Sequence, residues 1–261
     1  MPNSGETTHY NCQLNSVTQP EHTDELNEKL PTRPHDQVSW TAENFSNYRK
    51  KLKSGKAAGI DGLSAEHFKY ASTIIDVHLA LVYNALVCHS FLPDSFMPVR
   101  IVPIVKNATG VVSSRKNYRP IAIATTGSKL FELAILDKVD SIPNIPEHNQ
   151  FGFREKSSTD QCILLLKERI RHYVKLEGPV YCCFLDASKA FDRVCHDTLF
   201  LQLINYGIPT SVVKILKFWY SHQTMNVSWN GCTSEGLLEM VCVRGVFCIG
   251  TQCGRVASAL D

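Results

Sequence analysis

Val180-Tyr-Cys-Cys-Phe-Leu-Asp-Ala-Ser-Lys-Ala-Phe-Asp192 is the stretch of this sequence that decides the fold. Val180 to Leu185 is a continuous apolar run rich in β-forming residues, and it follows the turn-forming Glu177-Gly178-Pro179. A run of this length predicts a strand buried on both faces. It ends at Asp186, whose carboxylate is costly to bury unless it is paired or holds a cation. The alternative is that Asp186 caps the helix that follows.

The composition is that of a globular protein without a dominant charge. The 261 residues, 44% of them hydrophobic, allow one large domain or two small ones. The net charge is only +2, so any nucleic-acid site must arise from local clustering of basic residues. None of the ten cysteines forms a Cys-x-x-Cys pair, which favours reduced, buried thiols over disulfides or a zinc site.

Targeting signals are not apparent in the sequence. No charged-then-apolar signal peptide opens the chain, and no run of about 18 apolar residues is long enough to span a membrane. We therefore expect an intracellular protein, nuclear or cytoplasmic, without a membrane segment.

Periodicity and turn residues predict alternating helices and strands. The expected helices are Trp40–Leu52, Ser64 to about Ser72, Ile74–Leu92, Ser128–Asp137, Gln161–Leu176, Thr198–Tyr206 and one that begins at Thr210. The helix Gln161–Leu176 has one apolar face and a cap at Thr159 or Asp160. The expected strands are Val99–Val105, Asn117–Ile123 and Met225–Trp229. Asn230-Gly231 predicts a two-residue hairpin turn after the last strand.

Two patterns argue against other functions. Gly55-Lys-Ala-Ala-Gly-Ile-Asp-Gly62 matches neither a Walker loop nor a dinucleotide fingerprint, and is typical of a turn. His78 and His89 can share one face of a helix, but the sequence offers no third ligand nearby, which argues against a metal site.

Basic residues cluster at two places. Arg49-Lys-Lys-Leu-Lys-Ser-Gly-Lys56 is either a solvated helix end or a contact to phosphates, for which Lys53 and Lys56 are the candidates. Lys106 and Arg119 flank a polar loop between two predicted strands, so a hairpin allows the two side chains to converge.

Five motifs follow one another along the chain: Lys53–Leu63, Ile104–Lys106, Asn117–Ile123, Phe151-Gly-Phe-Arg154 with Ser158-Thr159, and Phe184–Asp192. Together and in this order they resemble the reverse transcriptases of non-LTR (LINE-type, jockey-like) retrotransposons. The last of them resembles the first catalytic-aspartate motif of that family.

The resemblance implies an α/β (α+β) chain with the right-hand polymerase fold, comprising fingers and a partial palm, with the thumb absent. The implied domains are a flexible lead-in over residues 1–37, the fingers region over 38–160, a partial palm over 161–235, and an anomalous tail over 236–261. The implied function is RNA-directed DNA polymerisation by two-metal nucleotidyl transfer, with Mg²⁺ as cofactor. The implied partners are an RNA template, a DNA primer and deoxynucleoside triphosphates, with no membrane and no protein partner.

The resemblance also implies roles for individual residues. Asp186 would be the catalytic residue that bridges the metal ions, because hard divalent cations prefer carboxylate oxygen. Ala187 would contribute its backbone carbonyl, and Phe191 would crowd the 2′ position of the sugar. Lys106 and Arg119 would bind the triphosphate, a task suited to the arginine fork.

The family pattern breaks after residue 235. The Gly-rich block and the Ala-Asp-Asp motif of the family are missing, and the only aspartate after Asp197 is Asp261. A reading shifted by one frame from Glu239 permits Val-Arg-Gln-Gly-Gly, the missing block. This suggests a frameshift between about Glu235 and Glu239; the alternative is ordinary divergence.

The missing motif predicts that this chain is inactive by itself. One alternative function is a non-catalytic nucleic-acid-binding remnant that uses Lys53, Lys56, Lys106 and Arg119. The other is a non-functional conceptual translation that never folds stably.

Overall fold

The computed structural model describes residues 20–30, 38–114, 117–139, 151–152, 156–176, 178–185, 194–234 and 238–239. Helices and a small sheet alternate in this part of the chain, which confirms the mixed α/β class. The helices are α1 (Pro20–Lys29), α2 (Ala42–Lys51), α3 (Ala65–Lys69), α4 (Ile74–His89), α5 (Thr126–Val139), α6 (Thr159–Leu176), α7 (His196–Asn205) and α8 (Thr210–His222), with a 3₁₀ turn over Asp94–Phe96.

A mixed sheet is built around one central strand. Its members in the described residues are β1 (Pro98–Val105), β2 (Tyr118–Ile123), β3 (Thr224–Trp229), β4 (Cys232–Thr233) and β5 (Leu238–Glu239). β1 lies between antiparallel β2 and parallel β3, while β4 and β5 both pair with β3. Parallel neighbours require a long crossover connection, and the chain from α5 to α8 supplies it.

Local signals account for several element boundaries. The Thr41 side chain accepts a hydrogen bond from the Asn44 backbone N–H and caps α2, as the sequence predicts. Asn230 and Gly231 both have positive φ, 46° and 80°, and they connect β3 to β4 as a two-residue turn. The hairpin predicted there is confirmed.

The core is a ladder of aromatic rings contributed by four helices. Phe45 of α2 stacks on Tyr83 of α4 with ring centroids 4.9 Å apart, Tyr83 stacks on Phe131 of α5 at 5.1 Å, and Phe131 stacks on Trp219 of α8 at 5.6 Å. The Tyr83 hydroxyl donates to the Gly127 carbonyl over 2.7 Å, and burial raises the pKa of this phenol above its usual value. Offset-stacked rings of this kind stabilise a core beyond the area they bury.

A buried ion pair joins α2 to the start of α4. Arg49 Nε lies 2.7 Å from Asp76 Oδ1, and Arg49 Nη2 donates to Asp76 Oδ2 over 3.0 Å. The Arg49 guanidinium also donates to the carbonyls of Phe68 and Ala71. The Arg49 side chain is therefore used inside the core. Among the basic residues of the cluster predicted over residues 49–56, only the lysines are exposed to solvent.

Helix α1 packs on α7, which corrects the prediction of a flexible lead-in for this part of residues 1–37. Leu26 is fully buried. The Thr23 hydroxyl donates to Asp197 Oδ2 over 2.8 Å, and Lys217 donates to Asn27 Oδ1 over 3.3 Å. Because α1 has so few apolar residues, its own sequence gives little sign of burial; its contacts come from residues far along the chain.

Helix α6 forms as predicted, but its apolar face is not buried. None of its residues is buried, and Leu164 and Leu165 are more than half exposed. Its cap is Ser158, whose hydroxyl accepts from the Gln161 backbone N–H while the Gln161 side chain accepts from the Ser158 N–H. The predicted caps at Thr159 and Asp160 are therefore wrong by one or two residues.

Candidate nucleic-acid interface

The β1–β2 hairpin is closed by side chains at its turn. The Lys106 N–H donates to the Asn117 carbonyl over 2.7 Å, which extends the ladder one residue beyond β1. The Asn117 side chain accepts from the Asn107 N–H and donates to the Asn107 carbonyl. These bonds determine where the backbone of Lys106 lies relative to β2.

The strand register places Lys106 and Arg119 on the same face of the sheet. Arg119 lies directly opposite Ile104, and Lys106 follows Ile104 by two residues, so all three side chains point to one side. Both Arg119 and Ile104 are exposed. The predicted convergence of the two cations is consistent with this register, and we call this side of the sheet the basic face.

The opposite side of the sheet packs on the helices. Val99, Ile101 and Met225 are buried there. At the far end of the same side, the rings of Tyr118 and Trp229 meet edge to face at 5.0 Å and join β2 to β3 across β1. The core thus holds one side of the sheet, which leaves the basic face available to a ligand.

Arg100 also belongs to the basic face, and the sequence reading missed it. In the register it lies opposite Ile123 on β2 and opposite Asn226 on β3, and it has the same parity on β1 as Ile104. The alternation of Arg100, Val102, Ile104 and Lys106 along the predicted strand is the signal that would have revealed it.

The loop from Lys53 to Leu63 is held against the start of α5. A Cβ at Gly59 would lie 2.7 Å from the Thr125 Cα, so only glycine fits there. Thr126 Oγ1 donates to the Leu63 carbonyl over 2.8 Å. The turn predicted for this stretch is confirmed by φ values of +71° at Gly55 and +72° at Gly62.

Two hydrogen bonds to helix α3 hold the first residues of this loop, and the lysines of the loop stay exposed. The Gly55 N–H donates to Glu66 Oε1 over 2.6 Å and lowers the pKa of that carboxyl. Lys69 donates to Ser54 Oγ over 3.1 Å. Lys53 and Lys56 are exposed on the resulting turn, where phosphate contact is sterically open to them.

The first catalytic-aspartate motif is the part of the predicted site that the structure leaves open. Asp186, Ala187 and Phe191 lie outside the described residues. Directly before them, the prediction of a buried strand over Val180–Leu185 is wrong: no strand forms, and Leu185 is 94% exposed. A strand requires neighbours for its backbone groups, and no strand of the described sheet pairs with this run.

The residues that follow the motif rejoin the core through α7. The His196 ring meets the Tyr220 ring edge to face at 5.0 Å. Burial lowers the pKa of His196, and the neighbouring Asp197 carboxylate opposes that shift. The run before the motif is therefore exposed, whereas the helix after it is packed in the core.

Other candidate ligands are dispersed. No group of three His, Cys, Asp or Glu side chains that could hold a metal ion occurs among the described residues. His78 Nδ1 lies 2.9 Å from the Ile74 carbonyl of its own helix, in line with the argument against a metal at His78 and His89.

The described cysteines are free thiols, as predicted, but they are not buried. Five are exposed and one is half-buried: Cys88, Cys162, Cys182, Cys183 and Cys232, and Cys195. The expectation of burial fails because it rested on the strand predicted over Val180–Leu185, which contains Cys182 and Cys183. No helix in the described part of the chain combines the length and apolarity needed to cross a membrane.

The described hairpin carries cations on its solvent face and precedes the sequence motif over Phe184–Asp192, and comparison with known families shows to which class such a chain belongs. Residues 104–244, more than half of the chain, match the reverse transcriptase (RNA-dependent DNA polymerase) family. The chain belongs to this family.

Two relatives among known proteins come from transposable elements of flies. A probable RNA-directed DNA polymerase from transposon BS of Drosophila melanogaster is 31% identical over 217 residues, covering 81% of this chain and 22% of the relative. The RNA-directed DNA polymerase from mobile element jockey of Drosophila funebris is 27% identical over 209 residues, covering 77% and 22%. The chain spans about a fifth of the length of these relatives. The resemblance to LINE-type enzymes is confirmed.

Proposed function

We propose that this chain forms the fingers and the first part of the palm of a retrotransposon RNA-directed DNA polymerase, and that it binds phosphate-bearing substrates. The observation that carries the proposal is the shared orientation of Lys106 and Arg119 on the solvent side of the β1–β2 hairpin. The named activity of the relatives supports the choice of substrates: an RNA template, a DNA primer and deoxynucleoside triphosphates.

Two groups of cations divide the binding task. Lys106 and Arg119 hold the triphosphate, because the planar arginine fork matches two phosphate oxygens and lysine supplies a point charge. Lys53 and Lys56, on the turn held by Gly59, contact the phosphate backbone of the nucleic acid. Phe191 crowds the sugar 2′ position and so favours deoxynucleotides.

Mg²⁺ is the cofactor that such a reaction requires, and Asp186 with the Ala187 carbonyl would bind it. The described residues do not complete such a site, since they contain no cluster of three potential ligands. The sequence has only Asp261 as a further aspartate after Asp197. We therefore derive no catalytic step through the metal for this chain.

The division of residues 38–235 into fingers and partial palm and the shifted reading frame of residues 236–261 are parts of the same proposal. The family match extends five residues beyond Glu239 and does not cover the last residues of the chain. The coding DNA decides between a frameshift and divergence: an in-frame tail without a displaced Gly-Gly block contradicts the frameshift.

The binding function is tested by the electrophoretic mobility of a labelled RNA–DNA primer–template with the purified chain. We expect a shift that weakens steeply with salt, because each phosphate contact releases counterions. Lys56→Gln, at an exposed lysine assigned to the nucleic-acid backbone, should weaken binding by roughly ten-fold or more, since hydrogen bonds to charged groups contribute about 1.5–3 kcal/mol.

Arg171→Gln serves as the matched control for this experiment. Arg171 is an exposed arginine of α6 that already pairs with Glu168 at 2.6 Å, so its loss should leave RNA affinity unchanged. No binding at low salt contradicts the proposal. A cooperative thermal unfolding transition of the same preparation would exclude the alternative of a chain that never folds.

A further inference from the structure

Arg100 lies on the central strand of the sheet, and its charge has no partner among the described residues. It is half-buried, and its side chain makes no hydrogen bond or ion pair with any of them. Its neighbours on the basic face are Ile123 across β2 and Asn226 across β3. Arginine is rarely withdrawn from water without a partner, because its guanidinium has five donors to satisfy.

Asn226 is a second unpartnered polar group at the same place. Its Oδ1 is buried and has no hydrogen-bond partner. Cα partners on parallel strands lie roughly 4.8 Å apart with side chains on one side, so the Asn226 amide lies beside Arg100 in one row of the sheet. An arginine lying across apolar neighbours explains Arg100 alone, but it leaves the Asn226 amide unexplained. A ligand that accepts from Arg100 and donates a hydroxyl hydrogen bond to Asn226 Oδ1 accounts for both.

The position of Arg100 separates it from the cations assigned to the triphosphate. Arg119 is level with Ile104, four residues along β1 from Arg100, which is roughly 13 Å at the rise of a strand. Ile123, the β2 partner of Arg100, is followed by Ala124 and Thr125. The backbone of these two residues contacts Gly59 in the loop from Lys53 to Leu63, which we call the basic loop. Arg100 thus lies between the hairpin cations and the loop that carries Lys53 and Lys56.

We propose that Arg100 and Asn226 form a contact site for the sugar–phosphate backbone of the bound nucleic-acid strand, between the hairpin cations and the basic loop. The site rests on the proposed function, because it requires that the chain binds nucleic acid. The distance favours a strand over a single nucleotide: every nucleotide of a strand carries a backbone phosphate, so a strand lying along β1 can present one phosphate near Arg119 and another near Arg100. Arg100 donates its fork to one phosphate, and a sugar 2′-hydroxyl of the same strand donates to Asn226 Oδ1.

The first test is the salt dependence of binding to a labelled single-stranded RNA oligonucleotide. Arg100→Gln should lower affinity roughly ten-fold and reduce the slope of log K against log salt by about 0.7, the value for one lost contact on a single strand. Arg100→Lys should keep the slope but not the full affinity, because it retains the charge and loses the fork. Arg171→Gln should change neither.

The second test places a negative charge beside Arg100. Asn226→Asp supplies a carboxylate next to Arg100, so it should raise the melting temperature while it weakens RNA binding through repulsion of phosphate. Gln202→Glu makes the same change of charge at a half-buried residue of α7, and it should leave RNA affinity unchanged. A residue pair that served structure alone would move both quantities in the same direction.

The outcomes separate the two proposals. If the unmodified chain binds RNA and Lys56→Gln weakens that binding, the proposed function stands; an unchanged salt slope in Arg100→Gln then overturns the backbone site. A fall in melting temperature with Asn226→Asp also overturns it. If Arg100→Gln loses stabilisation by deoxyadenosine triphosphate but keeps RNA binding, the site belongs to the nucleotide and the proposal is wrong. No binding by the unmodified chain overturns both.

Discussion

Arg49 and Asp76 carry opposite charges inside the helical core, and neither can be removed alone without leaving the other uncompensated. Asp76→Asn should lower the free energy of unfolding by about 3–5 kcal/mol, the usual cost of breaking a buried pair. Urea unfolding measures this cost. Asp94→Asn, at an exposed aspartate, is the control and should change stability by less than about 0.5 kcal/mol. Equal losses in the two variants would show that the pair contributes little.

His196 gives the chain a predictable response to pH. Burial lowers the pKa of its imidazole in the folded state, whereas in the unfolded state the pKa is about 6.5. Below that pH the unfolded chain binds the proton more readily, so stability is complete above about pH 6.5 and falls as the pH decreases towards the folded-state pKa.

The pH response is measured as the melting temperature on either side of about pH 6.5. His196→Gln should remove part of the decrease, whereas His222→Gln, at an exposed histidine that stacks on Phe218 at 4.1 Å, should retain it. The same slope in both variants would assign the decrease to other groups.

Among the elements, α6 and the run Val180–Leu185 are apolar and yet exposed. Leu165 of α6 is 53% exposed, while Leu130 of α5 is fully buried. Leu165→Asn should therefore change the free energy of unfolding by less than about 0.5 kcal/mol. Leu130→Asn should cost about 3 kcal/mol or more, because it adds both a cavity and a buried amide. Chemical denaturation of the two variants makes the comparison, and a similar cost for both would mean that α6 is packed in solution.

The elements also show where reasoning from the sequence succeeds. Helices α2, α4 and α8 and the β1–β2 hairpin follow from local signals: the Thr41 cap, helical periodicity and alternation along a strand. Lys106 and Arg119 could be placed on one face because strand parity is also local. The site is predictable to that extent.

Burial is the part that local signals cannot supply, since it depends on partners elsewhere in the chain. Val180–Leu185 has the composition of a buried strand, but a strand is buried only when other strands pair with it. Conversely, polar α1 is held because Thr23 meets Asp197, a contact that spans 174 residues. The role of Arg49 was missed for the same reason, whereas Arg100 could have been found from the alternation along β1.

Across the whole molecule, some of the family motifs lie in the packed part of the chain, and one follows an exposed segment. The family motifs around Gly59, Lys106 and Arg119 pack on the aromatic core. The segment that leads to Asp186 is exposed. The chain spans about a fifth of the length of its relatives, and we propose that parts of such longer proteins outside this chain cover α6 and Val180–Leu185. In a longer protein, Leu165→Asn should then become costly.

A version with the proposed frameshift reversed, extended to the length of the relatives, tests the catalytic assignment. This chain alone should not extend a DNA primer on an RNA template, since a two-metal site needs more carboxylates than Asp186. The restored version should extend it, and Asp186→Asn should reduce the rate by at least about a hundred-fold, because metal ions contribute several kcal/mol to such reactions. Asp197→Asn is the matched control: this carboxylate accepts from Thr23 and should be dispensable for chemistry. Full activity of the restored Asp186→Asn enzyme would refute the metal role, and the same loss in both variants would assign it to folding.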